Sequence, residues 1–105
     1  MPKFAANISM LWNEIDFLDR FAKAADAGFK GVEYLFPYAY EPEVLAEKLK
    51  ANGLTQVLHN MPPGDWAAGE RGMACIPGRE GEFQDNVGKA IAYAKVLDTK
   101  AMNCL

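Results

Sequence analysis

The sequence predicts an α/β fold, with short parallel strands alternating with helices in the order βαβαβαβ. Three observations predict it. Two hydrophobic periods alternate along the chain, one extended and one helical. Turn-forming residues stand at the junctions, among them Gly28, Pro42 and Asn52-Gly53. Half of the residues are apolar, with both signs of charge interspersed, enough for one modest core and too much for a disordered chain.

Residues 3–8, KFAANI, read as the first strand. Phe17, Leu18, Phe21, Ala22, Ala24 and Ala25 follow at helical spacing and predict a helix over 16–27. Asn13 or Asp16 is its candidate cap, and Gly28 suits a left-handed stop. GVEYL, 31–35, is the second strand. Pro42 stands where a first helical turn tolerates proline, and Val44, Leu45, Ala46 and Leu49 predict a helix over 42–52, stopped at Asn52-Gly53. LTQVLH, 54–59, is the third strand. A long irregular stretch over 60–80 carries Pro62, Pro63, Gly64, Gly69, Gly72, Pro77 and Gly78; loops of that length usually carry function or move. Phe83, Val87, Ala90, Ile91, Ala94 and Leu97 keep one face apolar and predict the strongest helix, over 81–98. KAMNCL, 100–105, is the fourth strand. Four strands and three helices in this order imply right-handed crossovers, and one partial domain over 1–105.

A parallel strand normally feeds a helix that covers the sheet, and none follows the fourth strand, so both sheet edges stay open. A (β/α)8 TIM barrel needs ~250 residues. The chain therefore reads as the first half of such a barrel.

Several classes of function are excluded as expectations. A net charge of −3 with mixed signs builds no cationic track, so no nucleic acid partner is expected. No apolar run approaches the ~20 residues of a membrane span, and the opening MPKFAANISM lacks a secretion pattern, which points to no membrane and a cytoplasmic setting. Cys75 and Cys104 form no Cys-x-x-Cys pair and lie far from the single histidine, so a zinc site is not expected; they read as small buried apolar residues.

In parallel α/β folds chemistry collects at the carboxyl ends of strands. Asn7, the stretch Glu33 to Tyr38, His59-Asn60 and Asn103 occupy such positions. The imidazole of His59 can donate to a substrate oxygen or shuttle a proton; the alternative is a histidine hydrogen-bonded to the neighbouring loop. Glu33 within an apolar strand marks a polar site floor, or else pairs with Lys3 or Lys30 at a sheet edge. The loop PPGDWAAGERGMACIPGR, 62–79, sets Asp65, Glu70 and Arg71 among glycines. Arg71 and Arg79 can each grip a carboxylate with two prongs, and Trp66 can shield a site from water; alternatively the loop faces solvent and its charges pair with one another. Phe36, Tyr38 and Tyr40 wall a pocket or pack under the helices. No phosphate-binding glycine motif and no serine–histidine–acid set is present.

The segments FAANISMLW, GVEYLFPY, LHNMPPGDWAAGERGMACIPGRE and MNCL, collinear across residues 1–105, resemble the hydroxypyruvate isomerase family. That family is close to the 2-oxo-tetronate isomerases and lies within the xylose-isomerase-like TIM barrels. The resemblance implies interconversion of hydroxypyruvate and tartronate semialdehyde through an enediolate, with a small hydroxy-keto acid as partner. It implies a divalent metal, magnesium or manganese, in the intact family and none for this chain. The acid and base glutamates are expected on later strands, beyond residue 105, so the catalytic pair is unassigned. His59, Arg71, Glu70, Asp65, Trp66, Asn7 and Glu33 form the expected substrate-binding set. The chain alone is expected to be inactive. Two other readings stay open: a self-associating structural half-barrel, and a flavodoxin-like binding module, against which the missing phosphate loop weighs.

Overall fold

A computed structural model describes all residues, 1–105. The elements are β1 (Ala5–Asn7), α1 (Arg20–Asp26) entered through a 3-10 turn at Phe17–Asp19, β2 (Gly31–Glu33), α2 (Pro42–Ala51), β3 (Thr55–Asn60), α3 (Glu80–Leu97) and β4 (Ala101–Asn103). The strands make one sheet in the order β1-β2-β3-β4, and every neighbouring pair is parallel.

Side chains alternate across a strand, so Ala6 and Ile8 point to the same face as their neighbours Val32 and Tyr34. That face is buried by Phe21 and Ala24 of α1, Leu45 and Leu49 of α2 and Leu97 of α3, with Leu54 completing the cluster. Phe17 stands edge-on to Phe21 and Tyr34, with ring centroids 5.6 and 5.2 Å away, which locks the entry of α1 to β2. The opposite face carries Asn7 and Glu33 toward its carboxyl end.

One irregularity controls which way β3 presents its side chains. Val32 pairs with Gln56, but Glu33 pairs with Leu58, so Val57 is an extra residue in a bulge. Gly31 accommodates it: a Cβ there would come within 2.9 Å of Val57 Cγ2. Beyond the bulge the alternation is reversed, and His59 turns toward the helices.

The strands are shorter than the apolar runs that predict them. Phe4 is exposed and unpaired, and the β2 ladder ends at Glu33. Neither proposed cap bonds the start of α1: Asp16 precedes the 3-10 turn without a side-chain cap, and Asn13 Nδ2 donates to Met10 O. The helix ends behave as expected at Gly28 (φ 95°) and Gly53 (φ 63°), and Pro42 opens α2. The helix α3 stops on Asp98 in the left-handed region (φ 55°), without a glycine. Both cysteines are exposed free thiols rather than buried residues, because Cys75 lies in the long loop and Cys104 follows the exposed β4. No helix is long and apolar enough to cross a membrane.

Candidate functional site

The first two strands end in a hydrogen-bonded pair. Asn7 and Glu33 are opposite one another in the ladder, and Asn7 Nδ2 donates to Glu33 Oε1 at 3.2 Å. The Ser9 N–H donates to Asn7 Oδ1 at 3.0 Å, so the amide is held with its NH2 toward the carboxylate. Ser9 Oγ in turn accepts the Leu35 N–H at 2.9 Å, tying the exit of β1 to the exit of β2. Glu33 is thus positioned by a neutral donor and makes no ion pair with Lys3 or Lys30.

A cleft of about 280 Å³ opens beside these exits, lined by Ser9, Arg20, Leu35, Phe36, Tyr40 and Trp66 among others. Trp66 closes one wall, edge-on to Phe36 at 5.0 Å between centroids. Arg71 lies on the Trp66 ring, its Cζ 3.7 Å from the centroid, and its Nη1 donates to the Trp66 and Glu70 carbonyls at 2.9 and 2.8 Å. In the sequence Arg20 looks like one solvated charge on an alanine-rich helix. In the fold its Nε donates to Ile15 O at 3.1 Å and its Nη1 to Ile8 O at 2.9 Å.

The acidic residues of the loop are occupied within it. Asp65 Oδ1 accepts the Ala68 N–H at 3.1 Å, and Glu70 Oε1 accepts the Asp65 N–H at 2.6 Å. Glu70 Oε2 pairs with Arg79, which also holds Glu82 with two prongs at 2.9 Å each. The Arg79 hydrogen bond, supported by the Asp65 N–H, holds the Glu70 carboxyl below the usual carboxylate range. Gly64 permits the arrangement: its φ is +85°, and a Cβ there would lie 2.6 Å from Glu70 Oε1. Of the loop's charges, Glu70 and Arg79 therefore pair with each other, while Asp65 accepts a backbone N–H and Arg71 holds two carbonyls and the Trp66 ring, so the plainer of the two sequence expectations holds for one pair.

His59 lies apart from all of these. Its ring is wholly buried on the helix side of β3, with Nε2 3.4 Å from Ala90 O of α3 and the edge of Tyr38 at 6.2 Å between centroids. Burial lowers its pKa, opposed by the Ala90 carbonyl. The fold thus brings Asn7 to Glu33 and Trp66 to Arg71, sets Asp65 and Glu70 to shaping the loop, and takes His59 to the helix layer. A divalent metal finds no ligand set here, since no three His, Cys, Asp or Glu side chains come together.

The family model for the xylose isomerase-like TIM barrel matches residues 21–105. The chain is 60% identical over its whole length to hydroxypyruvate isomerase of Escherichia coli K12, covering 41% of that protein. It is 59% identical over 92% of its length to 2-oxo-tetronate isomerase of Cupriavidus necator, covering 37% of it. It superposes on the crystal structure of a Brucella melitensis protein described as AP endonuclease, family 2, with a TM-score of 0.98 and 60% identity, over the whole of this chain and 41% of that one. The chain therefore spans about two fifths of the relatives it matches, as four successive strands of the barrel with the helices between them, and it belongs to the xylose isomerase-like TIM barrel family.

Proposed function

We propose that this chain forms the substrate-side part of an isomerase that interconverts hydroxypyruvate and tartronate semialdehyde, or, as the alternative, isomerises a 2-oxo-tetronate. One observation carries the reading: the Asn7–Glu33 pair stands at the carboxyl ends of parallel strands, in a chain 60% identical throughout to a hydroxypyruvate isomerase. Barrel enzymes of this class do their chemistry at that end.

The geometry supports the following roles. Glu33, oriented by Asn7, accepts hydrogen bonds from substrate hydroxyls, and the Asn7 amide keeps the carboxylate in place. Trp66, braced by Arg71, excludes water from the cleft, which strengthens every polar contact within it. Asp65 and Glu70 hold the loop in the shape that presents Trp66. His59 fastens β3 to α3 and so fixes the strand end from behind. The partner is a small hydroxy-keto acid; nucleic acid is no part of the reading, since Arg79 is saturated by Glu70 and Glu82 and the net charge is −3. The setting is cytoplasmic, where the exposed thiols of Cys75 and Cys104 stay reduced.

Proton transfer needs two positioned groups, and this chain offers no such pair. Glu70 and Glu82 are held ionised by Arg79, and His59 is buried away from the cleft. The residues of this chain do not by themselves assemble a ligand set for a divalent metal. The test is a graft. Residues 1–105 replace the matching segment of the E. coli hydroxypyruvate isomerase, and isomerisation is followed by NMR. Turnover of hydroxypyruvate should persist, and Glu33→Gln should lower it by roughly tenfold or more, the scale of one lost charged hydrogen bond. A folded graft that acts on neither hydroxypyruvate nor 2-oxo-tetronate rejects the reading. One that acts only on the latter selects the alternative. The 105-residue chain by itself should not turn hydroxypyruvate over, and robust turnover by the purified chain would contradict the assignment of roles.

A further inference from the structure

The two substrates named for the relatives share a feature that the Asn7–Glu33 pair cannot recognise: a carboxylate beside a ketone. A site that discriminates for it needs a fixed cation whose charge is not already neutralised. The basic residues near the strand exits can be compared on that criterion. Arg79 is consumed by Glu70 and Glu82. Lys89 stands over the Tyr38 ring, 5.3 Å from its centroid, and is not part of the cleft. Arg71 is exposed and lies flat on Trp66, and it too is absent from the cleft lining.

Arg20 differs from all three. Its Nε and Nη1 are tethered to the carbonyls of Ile15 and Ile8, which fixes the guanidinium plane without cancelling its charge. It takes part in none of the ion pairs, its Nη2 makes no hydrogen bond within the chain, and it lines the cleft. Ser9 lines the same cleft. Its Oγ accepts the Leu35 N–H, which leaves the hydroxyl proton free to donate. The walls beside them are Leu35, Phe36, Tyr40 and Trp66, apolar groups that lower the local dielectric and strengthen a charge-assisted bond. Ser9 is also bonded through its N–H to Asn7, and Asn7 to Glu33, so the Ser9 hydroxyl in the cleft is fixed relative to the carboxylate pair.

We propose that Arg20, assisted by the Ser9 hydroxyl, recognises the carboxylate of a 2-oxo acid substrate in this cleft. The inference rests on the isomerase reading for the identity of the ligand. Its test uses binding and not turnover, so the two can fail separately. The chain is titrated with hydroxypyruvate and with dihydroxyacetone, in which a neutral CH2OH replaces the carboxylate. The Leu35 amide and Trp66 indole signals are followed by NMR. The unaltered chain should bind hydroxypyruvate saturably and prefer it to dihydroxyacetone. Arg20→Gln should weaken hydroxypyruvate by about tenfold or more, the scale of a charge-assisted pair, and leave dihydroxyacetone unchanged. Arg20→Lys should retain part of the preference, and Lys95→Gln, on the exposed surface of α3, all of it. Where Arg20→Gln perturbs the fold through its two carbonyl tethers, Ser9→Ala serves instead, with a several-fold loss confined to the anion. The proposal is overturned by an unchanged affinity in folded Arg20→Gln, by an equal loss for both ligands, by an anion-specific loss of the same size in Lys95→Gln, or by no saturable binding to the unaltered chain. Arg20-dependent binding alongside an inactive graft rejects the isomerase reading and keeps the anchor. An active graft whose KM is insensitive to Arg20→Gln does the reverse.

Discussion

The ring of His59 exchanges water for the Ala90 carbonyl and the edge of Tyr38, and its Nδ1 finds no partner in that layer. Burial lowers its pKa below the ordinary 6.5, so the folded chain holds it neutral where the unfolded chain would protonate it. Between the lowered folded value and 6.5 the unfolded state binds more protons, and stability falls as pH drops through that interval. Glu70 acts lower down. Its carboxyl is depressed below 4.5, chiefly by Arg79, so its contribution is present above that value and lost as pH falls toward the folded pKa. Urea midpoints measured across pH should therefore decline in two stages. His59→Gln should flatten the upper stage only; an unaltered slope between pH 7 and 5 in that variant would discredit the assignment. The direction of His59 was not legible in the sequence. Strict alternation from Gln56, which pairs with Val32 on the helix face, puts position 59 on the open face, and the extra residue at Val57 reverses it. Arg20 was equally hidden, because nothing in its neighbours' chemistry marks the Ile8 and Ile15 carbonyls as its partners.

Among the elements, the helices were readable because their apolar spacing is a local property, and α2 and α3 fall within two residues of the ranges expected. Strand lengths were not, since a ladder ends where its partner ends, and that partner is distant in the chain. The stop of α3 was placed correctly but for no visible reason: Asp98 adopts the left-handed conformation that glycine takes without strain. Asp98→Gly should stabilise the chain by about 0.5 kcal/mol, the relief of that strain partly offset by the freedom glycine gains in the unfolded state. Thermal midpoints of the two proteins decide it, and a lower midpoint for the variant counts against the account. In the long loop the fold rests on Arg79 as a clamp on Glu70 and Glu82. Arg79→Ala should speed amide exchange over Asp65 and Glu70, whose N–H groups bond within the loop, while leaving the buried β1–β2 ladder protected. Equal protection of the loop in both proteins argues that Arg79 only decorates it.

At the scale of the molecule, the face opposite the helices and the outer edge of β4 are uncovered. All three β4 residues are exposed, and Phe4, Val57 and Met102 present 71, 42 and 37% of their surface. Apolar surface and unpaired strand edges of this kind favour association. The isolated chain should sediment with an apparent mass that rises with concentration, or unfold at low denaturant; a strictly monomeric and highly stable species would contradict this. The parallel sheet and its layer of helices were legible from the alternation of periods, whereas the cleft was not, because it assembles Ser9, Arg20, Phe36 and Trp66 from four separated stretches.

Strand order has a further consequence, for synthesis. Each strand pairs with the one made just before it, β1 with β2, β2 with β3 and β3 with β4. Among these four strands none waits for a later partner beyond its neighbour, so loop-closure entropy stays low at each of these additions. The chain can build its sheet as it leaves the ribosome, one strand and covering helix at a time, growing at one edge while β1 keeps the other. Emergence of Glu33 or Asn60 from the ribosome leaves the growing edge at β2 or β3 respectively, each a short strand.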